Sequence, residues 1–150
     1  MTTTAPLADS RAIGLAHYAA RAVLEQVMGR HGLSFLQTTV LRPVAAAEEP
    51  LSRGRLVQSV VDAVKITAVE ADRAIDELIG RGLLTIDESD TVRMTEDGRE
   101  LYDAGAAETA QASARVWAGI PEADLVAAGR VLALVTERAN AELHAIGRNQ

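Results

Sequence analysis

Between Ser52 and Arg99 stand seven basic residues: Arg53, Arg55, Lys65, Arg73, Arg81, Arg93 and Arg99. Ten acids share the same stretch: Asp62, Glu70, Asp72, Asp76, Glu77, Asp87, Glu88, Asp90, Glu96 and Asp97. Guanidinium groups recognise phosphates and guanine edges through paired N–H donors. Carboxylates cap helix starts, accept from the cytosine amine, or repel phosphate. These residues are suited to recognition rather than to bond-breaking chemistry. The chain has no cysteine, which removes thiolate chemistry and thiolate metal sites. His17, His31 and His144 are too widely spaced to form a ligand motif. No phosphate loop, nucleophile elbow, H-E-x-x-H or catalytic carboxylate pair occurs. No enzyme activity, cofactor or metal is expected.

The periodicity shows what must position these groups. Ser52 caps a helix whose apolar face is Leu56, Val57, Val60, Val61 and Val64. After a tight turn, Thr67-Ala-Val-Glu70 has the capping-box pattern and opens a second helix at about Ala68. At 100° per residue, Ala68, Ala71, Ile75, Leu78, Ile79 and Gly82 form its inward stripe. Val69, Glu70, Arg73, Glu77 and Gly80 point the other way. The helix stops at Arg81-Gly82. Leu83–Asp87 and Thr91–Thr95 then read as two short strands around Glu88-Ser89-Asp90, which form a wing. Helix, turn, helix and wing together make a winged helix-turn-helix, whose second helix belongs in a DNA major groove. Two readings stay open for its acids. Glu70 can close the capping box, and Arg73 can pair with Glu70 or Glu77 instead of touching a base.

The flanks are helical. Residues 1–9 read as a flexible tail. Asp9 or Ser10 caps a helix to about Arg30, with Ile13, Ala16, Ala20, Leu24, Val27 and Met28 on one face. His31-Gly32 ends it. Ser34-Phe-Leu-Gln37 is another capping box, opening a helix to about Ala47 in which Pro43 predicts a kink or an early stop. Glu48-Glu49-Pro50 is a loop. Thr95 caps a further helix to about Ala118. Pro121 begins the last one, lined by Leu125, Ala128, Leu132, Val135, Ala139, Leu143 and Ile146. The chain is 48% apolar but only 3% aromatic, so the core must be aliphatic, as suits packed helices. The fold class is mainly α with a small two- to three-stranded β-wing. The net charge of −6 disfavours broad phosphate binding. The excess of Arg over Lys reads as a genome-composition effect. With no apolar run of membrane length and no basic, apolar N-terminal leader, a cytoplasmic protein without a membrane partner is expected.

The order of elements over about residues 11–147 resembles the MarR (multiple antibiotic resistance regulator) family of bacterial repressors. The most specific part is ADRAIDELIGRGLL followed by RMTEDGREL. Arg81, Gly82 and Leu83 match the end of the family's recognition helix. Thr95, Gly98 and Arg99 match its post-wing motif.

The resemblance implies a homodimeric transcriptional regulator that reads a palindromic operator in double-stranded DNA and responds to a small aromatic effector. It implies a core at 33–99 and a helical dimerisation region formed by 10–32 with 100–147. It places Ser52, Arg53 and Arg55 near phosphate, Thr67, Val69, Glu70, Arg73 and Glu77 on the reading helix, and Arg93 in the wing. Effector-site candidates are His17, Tyr18, Arg21, Phe35 and Trp117, although a packed or interfacial role suits His17 better and dimer packing suits Trp117 better. The wing tip departs from the family's longer, Arg-bearing hairpin, so the helix is expected to lead. The alternative is a winged-helix protein that no longer reads DNA and binds a protein partner or small ligand through its acidic face.

Overall fold

The computed structural model describes residues 5–148. Of the expected tail, residues 1–4 lie outside the described residues, and 5–9 are exposed and precede the first helix. The order is α1 (Ser10–Arg30), α2 (Phe35–Ala46), β1 (Leu51–Ser52), α3 (Arg53–Val64), α4 (Ala68–Gly80), β2 (Leu84–Ile86), β3 (Thr91–Met94), α5 (Glu96–Trp117) and α6 (Glu122–Arg148). The chain forms two compact units, Met1–Ala112 and Ser113–Gln150, so the division falls within α5.

In the first unit the expected caps are in place. Asp9 accepts from the Ala12 amide, and Ser34 with Gln37 and Thr67 with Glu70 form complete capping boxes. Pro43 neither ends α2 nor shortens it, because the helix continues to Ala46. The sheet has the three strands at the upper end of the expected two to three, and the third lies where the sequence pattern shows only a loop and a cap. Leu51 and Ser52 pair antiparallel with Val92 and Thr91, and the strand order is β1-β3-β2. A two-residue strand is too short to show alternation in sequence.

The core is aliphatic. Met28, Leu41, Leu56, Ile75, Leu78, Leu84, Val60 and Val92 are almost wholly inaccessible. At about 1.5–3 kcal/mol for each fully buried large aliphatic side chain, they are the main driving force for this unit. The expected α4 stripe holds at Ala71, Ile75 and Leu78, with Ile79 half-buried, but Gly82 is exposed. Ala74 is buried, whereas Ala68, in the first turn, is exposed. The α1 stripe holds only at its C-terminal end. Val27 and Met28 are buried, whereas Ala16, His17 and Ala20 are exposed in the single chain.

Two chain reversals of the same design hold this unit together. At Met28–Leu33 and at Leu78–Leu83 the helix ends with a glycine at positive φ, Gly32 (71°) and Gly82 (73°). In each, the following leucine amide donates to the carbonyl five residues back, Leu33 to Met28 and Leu83 to Leu78. Arg81 links the two by donating from Nη1 to the Gly32 carbonyl (2.8 Å) and to Gln37 Oε1 (3.0 Å). Thr95 Oγ1 donates to the Gly82 carbonyl (2.7 Å) and accepts from the Gly98 amide (3.0 Å), so the start of α5 is tied to the end of α4. Farther along, Glu108 of α5 accepts from Arg30 (2.7 Å) and pairs with His31 Nε2 (2.8 Å).

In the second unit, α6 follows Pro121, whose carbonyl accepts from the Asp124 and Leu125 amides. No described residue of α6 is buried, and its apolar Leu132, Val135, Leu143 and Ile146 are exposed. No helix among the described residues is long and apolar enough to cross a membrane.

Gly98 lies against the backbone carbonyl of Leu83, and a Cβ there would overlap it. Gly54 in α3 has nothing within 4 Å of the same position. Gly98→Ala is therefore expected to lose about 1–3 kcal/mol through overpacking. Gly54→Ala should gain about 0.4–1 kcal/mol by restricting the unfolded chain. Urea midpoints of the two variants at constant m-value test this, and equal shifts would contradict it.

Candidate nucleic-acid interface

The outward face of α4 carries acids, and each acid of this helix has a local partner. Glu70 Oε2 accepts from the Thr67 amide (2.9 Å) and hydroxyl (2.8 Å). Those hydrogen bonds, the backbone one foremost, hold its carboxyl below the usual glutamate range. Asp72 and Asp76 turn toward α3. Arg53 donates from Nε to Asp72 Oδ1 (2.9 Å) and from Nη2 to Asp76 Oδ1 (2.8 Å) and the Asp72 carbonyl (3.2 Å). Burial opposes the Arg53 charge, but Asp76 and Asp72 outweigh it and raise its pKa. Glu77 Oε2 accepts from Gln37 Nε2 (3.3 Å) of α2.

Arg73 is left over. Among the described residues no carboxylate lies within 4.0 Å of it, so neither expected ion pair, with Glu70 or with Glu77, is formed. The reason is geometric, since the cap draws Glu70 back to Thr67 and Gln37 draws Glu77 toward α2. Arg73 is exposed on the same helix as Val69, which is 66% exposed. Arg55 and Thr67 are exposed as well, and Ser52 is half-buried, its hydroxyl accepting from the Arg55 amide (3.3 Å). Arg53 differs from the phosphate contact expected of it. Its side chain is only 21% exposed and is held by α4.

One wing acid also has a local role that the sequence pattern does not show. Asp87 Oδ1 accepts from the Ser89 (2.9 Å) and Thr91 (3.1 Å) amides, closing the turn. Asp90 adopts φ 60°, and its carbonyl accepts from the Arg53 amide (2.9 Å). Arg93, opposite Thr85 in the sheet, is exposed and 4.0 Å from Asp87.

Four of the effector-site candidates lie in the first unit. The Arg21 guanidinium sits 4.1 Å from the centroid of the Phe35 ring and also pairs with Glu25 (3.0 Å). His17 and Tyr18 make an edge-on ring contact at 5.5 Å, and Tyr18 is 69% exposed. Trp117 belongs to the second unit and is 54% exposed. Among the described residues no three His, Asp or Glu side chains are arranged to hold a metal ion.

No protein-family model matches the sequence, and comparison with curated proteins gives no match. Solved structures do match. CouR from Rhodococcus jostii RHA1, bound to p-coumaroyl-CoA, is 20% identical with a TM-score of 0.69, over 83% of this chain and 88% of CouR. A MarR-family transcriptional regulator from Rhodococcus sp. RHA1 is 22% identical with a TM-score of 0.67, over 87% and 96%. A MarR-family protein from Mycobacterium tuberculosis in complex with p-aminosalicylic acid is 20% identical with a TM-score of 0.62, over 87% and 98%. The fold is the MarR-like winged helix.

Within that fold, the two motifs that carried the resemblance are structural. Arg81 and Gly82 build the reversal after α4, and Thr95 and Gly98 secure the start of α5 against it. Arg99 donates to the Ala45 carbonyl (3.2 Å). The polar side chains Gln37, Asp72 and Asp76 orient α4, a role that sequence reasoning misses. The i, i+4 spacing of Asp72 and Asp76 is the available signal, but it names no partner.

Because the Glu70 carboxyl is held below its ordinary range, its cap stabilises the fold at neutral pH and is lost as acid protonates it. Glu70→Gln keeps a capping side chain without the titration. The stability gap between the natural protein and this variant should narrow as pH falls below the ordinary glutamate range. Urea titrations from neutral to acid pH check this, and a gap independent of pH would contradict it.

Proposed function

We propose that the protein is a homodimeric DNA-binding transcriptional regulator that reads a palindromic operator through α4 and answers to a small aromatic effector. The observation that carries this reading is Arg73 on α4, which has no carboxylate partner among the described residues. The neighbouring acids are bonded to Thr67, Arg53 and Gln37. A guanidinium presented from a helix in the major groove suits guanine O6 and N7. Arg55, at the exposed start of α3, suits a phosphate.

Dimerisation is supported by α6, whose apolar side chains remain exposed in the single chain, and by exposed Leu15, Tyr18 and Val23 on α1. In this reading 33–99 is the DNA-reading core, and 10–32 with 100–147 form the dimer. The aromatic-effector reading has two supports. One is the aromatic and cationic group of His17, Tyr18, Arg21 and Phe35. The other is the p-aminosalicylic acid in complex with the Mycobacterium tuberculosis neighbour. The alternative, a protein partner or small ligand bound through an acidic face, has less support on α4, where Asp72, Asp76 and Glu77 are bonded to the protein's own side chains.

Selection from random duplexes at low salt, followed by gel shifts on the selected palindrome, tests the proposal. Arg73→Ala is expected to cost about 1–3 kcal/mol on the preferred sequence and to relax preference at one position. Arg55→Ala should weaken all duplexes alike and lower the salt slope by about one. Arg53→Ala should act through stability, losing urea resistance along with binding. No selected consensus, or the same loss for Arg73→Ala and Arg55→Ala on every duplex, would overturn the reading.

A further inference from the structure

The Glu48-Glu49-Pro50 loop joins α2 to β1 and has no part in the interface described above. It forms one side of a cavity of about 250 Å³ behind the wing. The floor is apolar, made of Val44 from α2, Leu51 from β1, and Val92 and Met94 from β3. Val44 and Val92 are buried, and Leu51 and Met94 are half-buried. Ala47 and Pro50 also line it, with three charged residues, Glu48, Glu49 and Arg93. Among the described residues neither carboxylate has a cation within 4.0 Å. The nearest acid to Arg93 is Asp87, at 4.0 Å. One small cavity thus combines an apolar floor, two carboxylates without an ionic partner and one loosely held guanidinium.

We propose that this cavity binds a zwitterionic, amphipathic small molecule, in its simplest form an α-amino acid with an apolar side chain. The ammonium group is taken by Glu48 and Glu49, the carboxylate by the Arg93 fork, and the side chain by the floor. A ligand with only a positive charge leaves Arg93 unanswered, and one with only a negative charge meets two carboxylates. At about 30 Å³ per water, the volume corresponds to about eight waters. That suits an amino acid. The cavity joins the end of α2 to strands β1 and β3, so occupancy ties α2 to the wing and engages the cation at its base. Where the protein reads DNA as proposed above, the bound ligand withdraws Arg93 from phosphate. The binding itself does not rest on that reading.

Calorimetric titration of the full chain with L-phenylalanine, phenethylamine and 3-phenylpropanoate tests the proposal without DNA. L-phenylalanine should bind, and each singly charged analogue should bind at least about tenfold more weakly, a difference of about 1.4 kcal/mol. Arg93→Gln and the double variant Glu48→Gln with Glu49→Gln should each lose about tenfold or more for L-phenylalanine. Their urea midpoints should be unchanged, because none of the three side chains is buried. No heat from L-phenylalanine or L-leucine at millimolar concentration, equal affinity for the three ligands, or natural affinity in both variants would overturn it. A failure to bind DNA would leave these titrations unaffected.

Discussion

The position of α4 depends on one polar junction, built around Arg81. Its guanidinium joins the end of α4 to the end of α1 and the start of α2, through the Gly32 carbonyl and Gln37. Beside it, Thr95 ties the Gly82 carbonyl to the first turn of α5. Helix ends expose carbonyls that have no partner inside the helix, and leaving them unsatisfied in a packed unit is costly. Here the unsatisfied carbonyl of one reversal is met by the cation of the next. Three helix ends are thereby set relative to one another by directional bonds. The aliphatic core alone could not do this, because hydrophobic contact has no direction.

The acids of α4 follow from the same need for orientation. A helix that lies on an aliphatic floor is free to slide and rotate unless polar contacts stop it. Arg53 grips Asp72 and Asp76 from α3, while Gln37 holds Glu77 from α2. These bonds join partners that are distant in sequence, at separations of 19, 23 and 40 residues. Much of the negative charge that a simple count sets against a nucleic-acid partner therefore belongs to the packing of the helix. At the wing, Asp87 closes its own turn in the same way.

Local features are legible in the sequence alone. The caps at Asp9, Ser34, Ser52, Thr67 and Thr95, the glycine stops at Gly32 and Gly82, and the winged order all depend on residues within a few positions of one another. What sequence reasoning misses has a common cause. Strand β1 is hidden because two residues carry no periodicity, and the Arg53 clamp is hidden because its partners lie on the next helix. Periodicity places Ala16 and Ala20 on an inward face, with His17 beside it, that a single chain leaves in solvent. An apolar period marks a face without saying whether the same chain covers it.

The sequence by itself determined the helices, their ends, the wing and the acidic balance, because capping, glycine reversals and apolar period are short-range physics. It also made recognition by charge and hydrogen bonding the expected chemistry. The tertiary structure decided which charges are available. Eight acids and four arginines lie between Arg53 and Asp90, both ends included, and nothing in their order says which will pair. Only when α3 is laid beside α4 does Arg53 become a clamp while Arg73 keeps no carboxylate partner. Electrostatic pairing acts across a few ångströms of space, and the distances that matter are set by helix packing rather than by separation along the chain.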